Sequence, residues 1–285
     1  MATVDEIEMK EERTVEMAGI QPAAYLLELS LDWIVLRTSE NIHRLLRESH
    51  VTLIDEPLGK FVQSQALHDL RNLFSRLSGT TGIGRAYAVR LTDDNDLVDV
   101  AFQLVDGRVL LEMVPSVGSF GENFGTVGGL VAGLSNARGQ ALLDGGARRM
   151  RALTGYDRVT LVCGDRRAES SRGAFAAAAE MSEDLPMIVV DVDAASVPVF
   201  PRDEEETSTE DALLSAGAAA GLDQLRREGV RATLRVPFSV DDFTGEFRCD
   251  CRNAQEPSFE MHAAAELFAQ LFAMRLEIDR IKNGG

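Results

Sequence analysis

Two spacings of apolar residues alternate along the chain and predict a mixture of β-strands and α-helices. Apolar runs at residues 23–31 and 32–38 are typical of strands. Residues 65–77 instead carry apolar side chains three or four positions apart, which predicts an amphipathic helix. Further strand-like runs follow at residues 84–91, 97–105 and 108–114. Asp106 and Gly107, between the last two runs, are a strong hairpin signal, so this part is predicted as an antiparallel sheet.

The second half of the chain repeats both patterns. A helix rich in Ala, Leu and Gly is predicted over residues 129–151, with Gly155 as its stop signal. The segments after it are predicted as a strand at 159–163, a polar turn at 164–171, a strand at 188–192, a solvated loop at 197–212, a helix at 213–227 and strands at 232–240 and 245–252. Residues 258–281 predict a long helix with a near-heptad apolar stripe. The stripe includes Leu267, Leu271, Met274 and Ile278. It is wider than one domain face needs, which indicates packing on another helix, with core packing alone as the alternative.

Composition and charge narrow the class of protein. With 285 residues, 45% of them apolar, the chain fits two globular domains rather than a disordered polymer. The formal charge of -17 disfavours nucleic acids and anionic membranes as partners. Three cysteines, an odd number, indicate a reducing compartment rather than a disulfide framework. Neither a signal peptide nor a run of about 18 apolar residues is visible, so we expect a cytoplasmic protein.

Five motifs resemble, in order and at similar spacing, the PAS-GAF photosensory core of bacterial phytochromes. The motifs are Gly19-Ile-Gln-Pro22, Gly107-Arg-Val-Leu-Leu-Glu112, Leu153-Thr-Gly-Tyr-Asp-Arg-Val159, Leu225-Arg-Arg-Glu-Gly-Val-Arg-Ala-Thr-Leu234 and the strand at residues 245–249. The resemblance implies an α+β fold in which a PAS domain precedes a GAF domain, each an antiparallel sheet flanked by helices. It does not extend to the PHY and histidine kinase regions that follow this core in the family.

The same resemblance implies the domain boundaries. Residues 1–18 would be a flexible N-terminal arm, 19–115 the PAS domain, 116–128 a glycine-rich connection, and 129–285 the GAF domain with a long C-terminal dimerisation helix. Family members pass the segment before the Gln-Pro pair through a GAF loop, which makes a figure-of-eight knot. Here Ile20 would be the threaded residue and 191–214 the loop. An arm that lies beside an acidic loop is the alternative.

The chromophore chemistry of the family is largely missing. Bacterial members attach biliverdin through a cysteine that precedes the Gln-Pro pair, whereas Met9 stands there and its thioether cannot act as a thiolate nucleophile. Gly221 takes the position of a family histidine, Ser215 that of a propionate-binding arginine, and Cys251 lies where a second histidine falls. The Asp-Ile-Pro segment is absent. The protonated pyrroles and two carboxylates of biliverdin need hydrogen-bonding partners, because each polar group buried without one costs a few kcal/mol. With these side chains replaced, we expect conventional covalent biliverdin photochemistry to be lost.

Other chemistries have little support. Cys249 and Cys251 lie two positions apart on a predicted strand and would face one side of the sheet. A structural zinc site needs four ligands, so we expect buried cysteines and no metal. The histidines, expected at the surface or its boundary, are His43, His50, His68 and His262. No nucleophile, base and acid can be assembled, so we do not expect an enzyme.

Two functions remain open from the sequence. The first is a phytochrome-like signalling or regulatory module that acts by protein–protein contact. It would be a homodimer, or a heterodimer with a signalling protein, formed through the C-terminal helix. The second is a sensor that holds biliverdin, haem or another small ligand non-covalently in a reshaped GAF pocket. Neither function involves nucleic acid or a membrane.

Overall fold

The computed structural model describes residues 19–77, 82–93, 97–116, 121–178, 185–201, 209–240 and 243–283. The strands are β1 (Gly19–Ile20), β2 (Tyr25–Leu29), β3 (Val35–Ser39), β4 (Gly84–Val89), β5 (Val98–Val105), β6 (Arg108–Pro115), β7 (Arg158–Cys163), β8 (Arg166–Ser171), β9 (Ile188–Val189), β10 (Val197–Phe200), β11 (Ala232–Val240) and β12 (Phe243–Cys251). The α-helices are α1 (His43–Leu46), α2 (His50–Leu53), α3 (Ser64–Leu77), α4 (Glu122–Ala132), α5 (Gly139–Thr154), α6 (Ala219–Arg227) and α7 (Phe259–Asn283). The predicted α+β class is confirmed.

The strands form two antiparallel sheets. The first has the order β1-β10-β3-β2-β6-β5-β4 and the second the order β8-β7-β12-β11-β9. One face of the first sheet packs on α1 to α3, and its other face shares a core with the second sheet and α4, α5 and α7. Asp106 and Gly107 join β5 to β6 with φ values of 48° and 75°. A tight two-residue hairpin turn needs such left-handed values, so the predicted hairpin is confirmed.

One strand of the first sheet comes from a distant part of the chain. β10 belongs to the loop at residues 191–214 and pairs with both β1 and β3. Residues 214–216 return along the other side of β1, where the backbone of β1 and of Gln21 makes hydrogen bonds of 2.9 Å. Ile20 is therefore fully buried between two arms of one loop. Because residues 1–18 lie outside the described ranges, threading of Ile20 stays a prediction.

The Gln21 side chain ties this crossing to the second sheet. Its Nε2 donates to Ile188 O at 2.6 Å and to Ser215 O at 3.0 Å. Its Oε1 accepts the Val190 N–H at 2.8 Å. The amide thus satisfies three main-chain groups in the interior, each of which would otherwise be costly to bury.

Helices α4, α5 and α7 cover one face of the second sheet. An aromatic cluster fills this core, with ring centroids such as those of Phe247 and Phe272 5.2 Å apart. Gly146 of α5 allows the close approach, because a Cβ there would lie 2.4 Å from the Phe272 ring. The absence of a side chain at this position sets how near α5 can pack to α7.

Several predicted elements differ from the structure. The predicted polar turn at 164–171 is mostly β8, an edge strand whose polar residues face solvent. The helix predicted over 213–227 begins only at Ala219, because Gly217 has a φ of 77° and Ala218 is extended. The connection predicted over 116–128 ends inside α4, which begins at Glu122.

Two titratable side chains are buried where the first sheet meets the second. Glu112 of β6 accepts the backbone N–H groups of Leu213 and Leu214 at 2.8 and 2.9 Å, yet burial raises its pKa to about 7. The expectation that His262 lies at the surface or its boundary is wrong, because α7 places it in the interior. Its Nδ1 accepts from Arg85 Nη2 at 2.9 Å, and burial lowers the pKa of His262 to about 4.

We expect Glu112 and His262 to give opposite pH dependences of the unfolding free energy. The Glu112 carboxyl has a pKa of about 7 in the folded protein and 4.5 in the unfolded chain, so its contribution to the unfolding free energy decreases as pH rises between these values. The His262 imidazole has a pKa of about 4 in the folded protein and 6.5 in the unfolded chain, so its contribution to the unfolding free energy increases as pH rises between these values. The two contributions therefore oppose each other in the wild-type protein.

Single variants should separate the two contributions. From pH 4.5 to 6.5, the unfolding free energy of Glu112→Gln is expected to rise relative to the double variant, and that of His262→Gln to fall, by roughly 2 kcal/mol each. Urea unfolding followed by circular dichroism measures these slopes, with the Glu112→Gln, His262→Gln double variant as the reference. Slopes of the same sign in both single variants would contradict the assignment.

Candidate functional site

The face of the second sheet opposite the helices carries polar side chains at alternate positions. The residues of β7 and β12 that face the helical core are Val159, Leu161, Cys163, Phe247, Cys249 and Cys251. The intervening residues on the other face include Arg158, Thr160, Arg248 and Asp250. Residues 172–178, α6 and the apolar cluster around Leu185 and Leu225 cover this second face, so its charges are buried as well.

Four of these buried charges form one network. Arg158, with no solvent exposure, donates to Asp250 Oδ2 through Nε at 2.9 Å and through Nη2 at 2.6 Å. Its Nη2 also lies 3.2 Å from Glu228 Oε2. Arg248 bridges the same two carboxylates at 2.8 Å and 2.5 Å, and Thr233 Oγ1 donates to Asp250 Oδ1 at 2.9 Å. Burial alone would lower the pKa of Arg248, but Asp250 and Glu228 outweigh it and raise that pKa. Two cations and two anions thus neutralise one another away from water.

Residues 172–178, called the strap below, lie across this network and are held by arginines. Arg252 donates to two strap carbonyls at 3.1 and 2.7 Å, Arg158 to one at 2.6 Å, and Arg167 to one at 3.0 Å. The Phe175 ring of the strap lies 3.9 Å from Arg252 Cζ and 4.6 Å from Arg158 Cζ. The strap and the ion pairs therefore lie together on the polar face of the sheet.

The structure does not bring the predicted pocket positions together. Ser215 lies beside β1, where its carbonyl accepts from Gln21 Nε2. Gly221 lies in α6, and a Cβ there would stand 2.8 Å from Leu185 Cγ, so Leu185 occupies the side-chain space. Cys251 points into the helical core on the opposite face of the sheet. Met9 lies outside the described residues.

The three cysteines are buried in the helical core. Cys249 and Cys251 share one side of β12, as their spacing predicts, and Cys163 joins the same core. Burial raises the pKa of each thiol, which disfavours the nucleophilic thiolate. Within the described ranges, no group of three or more His, Cys, Asp or Glu side chains could hold a metal ion.

The described residues line a cleft and a groove. A cleft of about 250 Å³ lies beside Gln21 and α6, with Asp191, Ser196 and Arg226 on its walls. That volume is below the roughly 300–1,000 Å³ of typical small-molecule pockets. A groove of about 400 Å³ lies on the first sheet, between α3 and β4. The four charged residues of the network line neither cavity.

Helix α7 has two apolar faces. Its buried face consists of Phe259, Ala264, Ala265, Phe268, Ala269, Phe272, Ala273 and Leu276. On the other face, Leu267, Met274 and Ile278 expose 38%, 58% and 46% of their surface, and Leu271 is half-buried. These four residues keep the alternating four- and three-residue spacing of a heptad. In the described part of the chain, no helix combines the length and apolar character needed to cross a membrane.

The fold is similar to solved phytochrome structures. The chromophore-binding domain of an unusual bacteriophytochrome from R. palustris has a TM-score of 0.77 at 20% identity, covering 93% of this chain and 96% of that chain. The chromophore-binding domain of a Stigmatella aurantiaca phytochrome has a TM-score of 0.73 at 22% identity, covering 91% and 96%. The photosensory core module of a Stigmatella aurantiaca phytochrome has a TM-score of 0.75 at 22% identity, covering 92% and 58%. The PAS-GAF fold that the five motifs imply is therefore confirmed.

Comparison by sequence gives no further identification. No protein-family model and no curated protein sequence matches the chain. At 20–22% identity, the similar structures show the fold alone.

Sequence reasoning missed the charged network. A signal was present, because charged or polar residues alternate with apolar ones around Arg158 and around Asp250. Such alternation normally indicates a strand with one solvated face. The covering segments, which are distant in sequence, bury that face, and a local pattern does not reveal them.

We expect Asp250→Asn to lower the unfolding free energy by about 3–5 kcal/mol, because both arginines lose a buried carboxylate. Asp223→Asn, which removes an exposed ion pair with Arg226, is the matched control and should cost less than about 1 kcal/mol. Urea unfolding measures both changes.

A double-mutant cycle tests the pairing itself. Arg158→Leu combined with Asp250→Leu should cost at least about 1 kcal/mol less than the sum of the two single changes. Strict additivity would show that the two side chains do not stabilise each other.

Proposed function

We propose that the chain is a phytochrome-like signalling or regulatory module that does not hold biliverdin in the conventional covalent mode. The main support is the polar face of the second sheet, where the Arg158 network and the strap lie. Two of the similar structures are chromophore-binding domains of phytochromes. Here Leu185 takes the side-chain space at Gly221, and Met9 offers no thiolate.

Energetics support the same proposal. A tetrapyrrole on this face would have to displace the strap and separate Arg158 from its partners. Breaking a buried ion pair costs about 3–5 kcal/mol unless the ligand supplies equivalent partners. We therefore propose no tetrapyrrole cofactor for the module. In line with the sequence-based expectation, we also propose no enzymatic step, no metal and no nucleic-acid partner.

We expect the protein, mixed with biliverdin or with haem, to elute from gel filtration without a visible absorption band. Met9→Cys is the informative variant, because it restores a thiol but leaves the polar face filled. We expect no covalent adduct on it, as measured by zinc-induced fluorescence after denaturing electrophoresis. A retained band that changes on illumination would instead support the non-covalent sensor. An adduct on Met9→Cys would assign the loss to the missing thiol alone.

We infer that two copies of the chain form a homodimer through α7, and that this helix transmits the output signal of the module. Leu267, Met274 and Ile278 are exposed at heptad positions, and Leu271 between them is half-buried and packs in part against the core. Packing two such stripes together would remove apolar surface from water without disturbing the fold. A heterodimer with a signalling protein would use the same stripe.

We expect light scattering to give the wild type a mass of twice the 31.1 kDa chain. Met274→Glu and Leu267→Glu should run as single chains, because a charge in the seam would be buried without a partner. Leu104→Glu, at a comparably exposed apolar residue of the first sheet, is the control and should stay dimeric. A wild type that runs as a single chain would contradict the homodimer.

A further inference from the structure

The strap places one aromatic ring on two guanidinium groups. Phe175 lies within 4.6 Å of both Arg158 Cζ and Arg252 Cζ, measured from its ring centroid. Both distances fall inside the roughly 6 Å range of cation–π attraction. The half-buried ring also packs against the apolar cluster that contains Leu185 and Leu225. This position therefore favours a flat aromatic group.

The same two arginines bind oxygen atoms next to that ring. Arg158 Nη1 donates to Ala176 O at 2.6 Å, and Arg252 Nη2 donates to Ala174 O at 2.7 Å. Gly173 has a φ of 82°, and a Cβ there would lie 3.1 Å from Arg252 Nη2. Glycine at this position lets the strap backbone lie directly on the guanidinium. A ring with adjacent acceptor oxygens is also the arrangement of an aromatic carboxylate.

The strap has few other attachments. It forms neither helix nor strand, and of residues 172–178 only Ala178 is buried and Phe175 half-buried. Apart from one backbone hydrogen bond from Arg172, its hydrogen bonds to the described residues come from arginine side chains. If the strap left, the buried Nη1 of Arg158 would lose its acceptor, at a cost of about 1–3 kcal/mol. Any replacement must therefore bring an acceptor of its own.

We propose that Arg158 and Arg252 form a binding site for a planar aromatic carboxylate, and that the strap occupies this site as an internal ligand. The ligand ring takes the place of Phe175, and its carboxylate accepts the hydrogen bonds that Arg158 Nη1 and Arg252 Nη2 donate to the strap carbonyls in the absence of ligand. Asp250 neutralises Arg158, whereas Arg252 has no ion-pair partner among the described residues, so its charge attracts the anion. This site goes beyond the proposed function and does not depend on dimer formation.

Phe175→Ala empties the ring position and provides the test. By isothermal titration calorimetry, this variant is expected to bind naphthalene-2-carboxylate at least tenfold more tightly than the wild type, because the strap no longer competes for the ring position. Naphthalene-2-carboxamide should bind at least tenfold more weakly than the acid, since it lacks the charge. Equal affinity for the acid and the amide, or equal affinity of variant and wild type, would overturn the proposal.

Arginine variants identify the residue that binds the carboxylate of the ligand. Adding Arg252→Ala to Phe175→Ala should weaken naphthalene-2-carboxylate binding at least fivefold. Adding Arg227→Ala, at an exposed arginine of α6 outside the set of arginines that hold the strap, should leave the affinity unchanged. If both additions weaken binding equally, the acid is attracted by general surface charge and the proposed site is wrong.

The wild-type protein gives a reading that does not depend on whether the variants fold. Naphthalene-2-carboxylate in excess should displace the strap and accelerate chymotryptic cleavage after Phe175 at least fivefold, and the carboxamide should not. Mass spectrometry of the fragments locates the cut. Cleavage that is unchanged by the acid would overturn the proposal.

Discussion

Arg158 sits in the interior without contact to water, and a guanidinium can remain there only if every donor finds an acceptor. Its acceptors come from separate parts of the chain. Asp250 arrives on the neighbouring strand β12, Glu228 follows the end of α6, and Ala176 belongs to the strap. One buried cation therefore sets the positions of three segments relative to β7. The filled polar face, the proposed loss of the chromophore and the proposed aromatic carboxylate site all depend on this requirement.

Elements with a strong local signal were predictable from the sequence. The hairpin at Asp106 and Gly107, the long helix α7 and the buried strand after Gly155 all follow from turn chemistry or periodicity within a few residues. β8 was missed because an edge strand with exposed polar residues has the composition of a turn. The start of α6 was predicted too early, since Gly217 can adopt a left-handed φ that no apolar spacing reveals.

The candidate site, like the fold, was predictable only in part. The resemblance of the motifs predicts which chromophore-binding side chains are replaced, and a larger side chain at one of these positions, Gly221, would meet Leu185. What replaces them was not predictable, because the partners of Arg158 are 70 and 92 positions away in the chain. Burial of His262 was missed for a related reason. The first sheet, through Arg85, covers that position of α7, and the helical pattern alone gives no sign of it.

The crossing at β10 has a consequence for how the chain can be divided. β10 lies between β1 and β3, so a fragment that ends at Pro115 would leave β3 with an open edge of unpaired backbone groups. A fragment that begins at α4 would carry β10 with no sheet to join, and the Gln21 amide would no longer reach β9. The first sheet thus depends on a strand that the second half of the chain supplies. Fragment expression would yield two incomplete pieces, and recovery of the native state on mixing them would require the loop to close around β1 after both had been made.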